Sequence, residues 1–111
     1  MQTQANCHVD TTLKIIGGKW KLSILWHVGQ STLRFNELEK RINGITQKML
    51  TQQLRELEKD KLINRKVYPV VPPKVEYSIT EYGKSLKGAL YALNMWGEKH
   101  EKITSYPPTE S

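Results

Sequence analysis

The chain of 111 residues contains one cysteine, so no disulfide can close within it and no cysteine-rich zinc site can form. That usage suits a reducing compartment. No apolar run approaches the ~20 residues that a membrane span needs. Residues 1–10 are polar where a signal peptide would carry its apolar core, so the sequence predicts a cytoplasmic protein with no membrane partner. Internal repeats and low-complexity stretches are absent, and 12.9 kDa leaves room for one domain spanning 1–111. The ingredients of catalysis are missing as well. His8, His27 and His100 stand far apart without metal-ligand spacing, and Gly17-Gly18-Lys19 lacks the rest of a phosphate-binding loop. Cys7 and His8 are adjacent but have no identifiable third group to orient them. The reading is therefore a non-enzyme without cofactor or metal.

Acidic residues are scarce in one place. Lys40, Arg41, Lys48 and Arg55 fall in a stretch, 40–55, that holds no carboxylate. The formal net charge is +6. Residues 80–111 carry four Lys against four Glu, so the whole excess belongs to residues 1–79. A basic body suits a polyanionic partner, although charge alone is weak support.

The pattern of apolar residues orders the chain. Residues 1–8 read as a flexible arm. Asp10 is placed as the N-cap of a first helix that carries Leu13, Ile15 and Ile16 and stops at Gly17-Gly18. A helix over 19–28 is apolar nearly all round and ends at Gly29, which predicts the central buried helix. Residues 31–34 could form a stub of strand. Phe35, Leu38 and Ile42 mark a third helix closed by Asn43-Gly44. Thr46 caps a fourth helix, to about Asp60, with Ile45 and Leu50 as a hydrophobic staple. Two helices joined by a turn of about three residues have the spacing of a helix-turn-helix. Residues 63–70 are rich in β-branched residues, and Val75, Tyr77 and Ile79 alternate with polar ones; Val71-Pro72-Pro73-Lys74 reads as the hairpin tip between them. Thr80 then caps a last helix over 80–104, which at ~24 residues would span ~36 Å. The fold class is α+β, mainly α: a winged helix-turn-helix with a β-hairpin wing and a long C-terminal dimerisation helix. On that helix Leu86, Ala89, Leu90, Leu93, Trp96 and Ile103 form a stripe suited to a second chain.

Opposite Leu50, Leu54 and Leu57, the fourth helix carries Gln47, Lys48, Thr51, Gln52 and Arg55 within one arc of about 140°. Arg and Lys pair with guanine, Gln with adenine, and a Thr methyl meets thymine. A solvated polar face is the simpler account of such an arc. The lack of acids in its first two turns and its place after the turn favour DNA contact. Arg65, Lys66 and Lys74 on the hairpin would meet phosphates or the minor groove beside the site without reading sequence, or else serve as ordinary strand-edge charge. Cys7 lies beside His8 in a basic chain, a setting that can activate a thiol. Taken on its own it reads more readily as an inert thiol in a loose arm.

Gly17-Gly18-Lys19-Trp20, Arg34-Phe35-Asn36-Glu37-Leu38, the run Gln47-Lys48-Met49-Leu50-Thr51-Gln52-Gln53-Leu54-Arg55-Glu56-Leu57, and Tyr68-Pro69-Val70-Val71-Pro72-Pro73-Lys74-Val75-Glu76-Tyr77 followed by Thr80-Glu81-Tyr82-Gly83 resemble the HxlR-type transcriptional regulators. The likeness covers roughly 7–103, and the wing motif is its most specific part. It implies a bacterial winged-helix homodimer, related to the MarR superfamily, that binds pseudo-palindromic operators, usually as a repressor. The helix at 46–60 would enter the major groove, the hairpin at 63–79 would be the wing, and the terminal helices would pair across the two-fold axis. Several members sense quinones, aldehydes or oxidants through a cysteine near the N-terminus, and Cys7 stands at the matching place. His8 follows it where the family often has Pro, which alters the setting of the thiol. The expected partners are double-stranded DNA, a second copy of the chain, and an electrophile, oxidant or small-molecule effector. Two alternatives keep the fold but give it another role. One is a regulator sensing an apolar small molecule at the dimer interface, and the other is a protein-protein interaction module.

Overall fold

The structure, a computed structural model, describes residues 7–104. Most of the expected arm, residues 1–6, lies outside the described residues. Helix α1 spans His8–Ile16, one turn earlier than an Asp10 cap would allow. Cys7 takes the cap position in extended conformation and its carbonyl accepts from the Asp10 amide at 3.1 Å. Asp10 sits instead in the first turn, where its carboxylate meets the positive end of the helix dipole. A Cβ at Gly17 would collide with the Leu13 carbonyl oxygen, and Gly18 turns the chain with φ +92°. Only Ile16 of this helix is buried.

Helix α2, Lys21–Gln30, buries Ile24, Leu25 and Val28 at the centre of the core. It starts and ends two residues later than the apolar pattern suggests. Gly29 lies inside it, leaving room for Ile79 of the sheet to come close. The short strand β1, Leu33–Arg34, leads into α3, Phe35–Arg41, and then α4, Gln47–Lys59. Strands β2, Ile63–Tyr68, and β3, Lys74–Ile79, form an antiparallel hairpin. The sheet order is β1-β3-β2, with Leu33 opposite Tyr77 and Arg65 opposite Tyr77 on the other side. Leu33, Ile63 and Tyr77 turn inward onto α2, α3 and α4. Lys74, expected at the hairpin tip, is the first residue of β3, paired with Tyr68.

The long terminal helix is broken. Thr80 caps α5, Glu81–Lys84, its hydroxyl accepting from the Gly83 amide at 2.7 Å and donating to the Lys61 carbonyl at 2.7 Å. At residues 85–86 the backbone tightens to i→i−3 bonds, Ser85 to Tyr82 and Leu86 to Gly83, each 3.0 Å. Ser85 also turns its hydroxyl onto the Tyr82 carbonyl. Helix α6 then runs Lys87–Thr104, 18 residues, about 27 Å instead of ~36 Å. A tether at Thr80 and close packing of Gly83 under Leu62 and Ile79 fix the first turn to the sheet, so the rest must leave at its own angle. The result is the winged helix-turn-helix read from the sequence, with its terminal helix in two pieces.

Candidate nucleic-acid interface

Three residues, Asn43-Gly44-Ile45, separate the Ile42 cap of α3 from the Thr46 cap of α4. The turn needs a glycine, since Gly44 sits at φ +88°. Thr46 accepts from the Met49 amide at 3.1 Å, satisfying one of the unpaired donors of the first turn. Ile45 and Leu50 are both buried, as the staple requires. At the other end Lys61 is left-handed, φ 65°. Its amide donates to Glu58 and that of Leu62 to Leu57, each at 3.0 Å, which is a Schellman closure built without glycine.

Leu50, Leu54 and Leu57 hold α4 onto the core and turn its opposite face outward. Gln47, Lys48, Thr51, Gln52 and Arg55 line one surface groove there, joined by Phe35 and Glu56. All of them are exposed except Thr51, Phe35 and Glu56, which are half-buried. The sequence arc is thus a real surface, with a floor of Phe35 that periodicity within α4 alone did not indicate.

Glu56 is a carboxylate in this basic groove, and the fold neutralises it from behind. The ammonium of Lys21, at the start of α2, is 2.6 Å from Glu56 Oε1. Lys21 is only 8% exposed, the one buried charged residue among those described. Gln52 Nε2 donates to Glu56 Oε2 at 3.4 Å. The hydrogen bond from Lys21, then its charge, then the Gln52 amide hold the Glu56 carboxyl below the usual carboxylate range. This triad was not legible in the sequence. Lys21 falls in an apolar helix thirty-five positions before its partner, and only the packing of α2 on α4 brings the two together.

The wing cations divide between two faces. Arg65 stands on the inner face of β2 opposite Tyr77, and with Thr51, Leu54, Arg55 and Glu58 it lines a cleft where the wing meets α4. Lys66 and Lys74 lie on the outer face, their ammonium groups 4.9 Å and 4.7 Å from the centre of the Tyr68 ring. The Tyr68 hydroxyl donates to Glu76 Oε1 at 2.8 Å, and Lys74 Nζ is 3.4 Å from Glu76 Oε2. That hydroxyl, with Lys74 and Arg34 beside it, keeps the Glu76 carboxyl below its ordinary value despite partial burial. Arg34, opposite Glu76 in β1, adds a cation that the pattern of the sequence did not single out.

The family profile described as HxlR-like helix-turn-helix matches residues 15–105. The chain belongs to that family. The HxlR-like match takes in both helices of the motif, the wing and the terminal helix. The HTH-type transcriptional regulator YdeP of Bacillus subtilis is 55% identical over 95 residues, which cover 86% of this chain and 74% of YdeP. The crystal structure of the HTH-type regulator YtcD, a Bacillus subtilis protein, superposes with a TM-score of 0.82 at 55% identity, covering 87% of this chain and 99% of the other. The redox regulator HypR, in its reduced form, gives 0.83 at 46% identity, covering 87% and 96%. Its oxidised form gives 0.80 at 49%, covering 84% and 96%. This HxlR-like chain is accordingly a DNA-binding transcriptional regulator and not an enzyme.

The remaining sequence-derived positions lie away from the groove. Cys7 is an exposed free thiol at the head of α1. Of the stripe on the terminal helix, Leu90 is 7% exposed and packs into the core of its own chain, with Leu86 half-buried beside it. Ala89, Leu93, Trp96 and Ile103 are exposed. The stripe is therefore divided between the chain's own core and its surface. No described helix is long and apolar enough to cross a membrane.

Proposed function

We propose that this HxlR-like regulator binds a pseudo-palindromic operator as a homodimer in the cytoplasm and acts by repression. The two α4 helices would enter successive major grooves about one helical turn, ~34 Å, apart. The observation that carries the reading is the groove on α4, where Gln47, Lys48, Thr51, Gln52 and Arg55 converge and the single carboxylate among them is neutralised by Lys21. Base contacts fall to those residues. Phosphate contacts fall to Arg65, Lys66 and Lys74 of the wing, Arg65 beside α4 and the lysines held over Tyr68. Selection of sites from a random duplex library under reducing conditions tests this. An inverted repeat supports both the contacts and the two-fold dimer; recovery of no motif would leave a protein partner as the better account of the face.

The second chain would cover α1 and α6. Val9 and Leu13 on α1 and Tyr91, Leu93, Met95 and Trp96 on α6 are all large, apolar and about half exposed or more. The exposure of so much apolar surface on two terminal elements favours a self-association face, with residues 80–104 supplying most of it.

Cys7 is the proposed switch. The similarity to HypR, a redox regulator, and the exposure of the thiol support it. With peroxide as oxidant, two Cys7 thiols from two copies would form a disulfide while the peroxide leaves as two waters; with a quinone, one thiolate would add to the ring and the ring oxygen take up the proton. Loss of DNA affinity on mild oxidation, abolished by Cys7→Ser, is the expected result. A serine variant that responds like wild type would remove Cys7 from the mechanism.

A further inference from the structure

We infer that Lys21 and Glu56 are positioning residues that fix the side-chain amide of Gln52 for reading one base. The inference rests on the reading of α4 as the helix in the major groove.

A glutamine amide has a donor end and an acceptor end of nearly equal shape, and a free one samples both orientations. Gln52 is not free. An ionised carboxylate only accepts, so Glu56 Oε2, 3.4 Å from Nε2, selects the orientation that turns nitrogen toward it. One N–H is then taken by Glu56, which leaves the carbonyl oxygen and the second N–H of a groove-lining amide for a base edge. That donor-acceptor pair matches N7 and the N6 amino group of adenine.

The orientation holds only while Glu56 is charged and still. The charge is the ordinary state of a carboxylate at neutral pH, and Lys21 supplies the stillness, its ammonium lying 2.6 Å from Glu56 Oε1 on a side chain anchored in the core. Being buried behind α4, Lys21 also cancels a negative charge that would otherwise face phosphates, without itself reaching the DNA. The two residues stand four apart on α4, Gln52 and Glu56, and both line the groove. A brace serving stability alone would not need its carboxylate there.

Relative affinities for all base substitutions in the selected operator test the proposal, with the full chain throughout. Gln52→Ala is expected to lower discrimination at one base pair of each half-site by about 5–150-fold. Lys21→Met/Glu56→Met replaces the pair by apolar side chains of similar length, a change that folded proteins tolerate. It is expected to lower discrimination at that same base pair by at least about threefold, and to add little to Gln52→Ala when combined with it. Glu56→Ala alone should reproduce the loss. If the Lys21/Glu56 variants weaken all sites evenly with the base preference intact, the pair is only a brace and the proposal fails while the reading of α4 stands. If Gln52→Ala changes no base preference, Gln52 reads no base and both the proposal and that contact fall.

Discussion

At the scale of single residues, the proposed contacts divide into readers on α4 and anchors on the wing. Arg55 is exposed in the α4 groove and near Arg65 at the foot of the wing. Arg55→Ala is expected to weaken binding of the selected operator by ~1–3 kcal/mol and to relax one position, measured by mobility shift. Lys66→Ala or Lys74→Ala should instead weaken all sequences alike and lower the slope of log affinity against log salt by about 1. Unequal losses across sequences would make the wing a reader. His27 gives a separate prediction. Partial burial, and then the charge of Arg41, lower its pKa, so the neutral ring is favoured in the fold. The unfolded chain takes up its proton first, near pH 6.5, and stability falls as pH drops through that value. His27→Gln should flatten this part of the melting-temperature profile, and an unchanged slope would assign it to other groups.

At the scale of elements, ends decide more than middles. The apolar spacing of α3 and α4 and the Thr46 cap were legible because they depend on neighbours within one turn. The ends of α2 and the break after α5 were not, because each depends on a distant contact. Gly29 continues its helix with Ile79 of the sheet close by, and Thr80 is tied to Lys61 and Leu62. The end of α4 is a middle case. A Schellman closure is there, but Lys61 fills the left-handed position that glycine favours. Lys61→Gly is expected to stabilise the fold by up to ~1 kcal/mol in urea denaturation, by removing the strain of a side chain at positive φ. A loss of stability would mean that the lysine side chain makes an interaction outweighing that strain.

At the scale of the whole molecule, the division of the terminal stripe matters most. Leu90 belongs to the chain's own core, whereas Leu93 is 53% exposed and Trp96 65%. Leu93→Asp is therefore expected to leave the fold intact and yield monomers by light scattering, with loss of cooperative operator binding. A mutant that stays dimeric would move the interface away from α6. Leu90→Asp would unfold the chain instead, because it buries an unpaired charge. The two variants separate a proposed interface residue from a core residue on the same helix.

The sequence by itself determined the helix-turn-helix, the hairpin wing and the outward arc of α4, because local caps, turns and hydrophobic period carry that information. It also placed Lys66 and Lys74 on the wing, though not the Tyr68 ring that holds them. Tertiary structure alone decided that Arg65 turns inward toward α4, that the terminal helix breaks, and that Leu90 packs at home. Only the packing of α2 against α4 could put Lys21 behind Glu56, since a contact between residues so far apart in the chain leaves no periodicity to read.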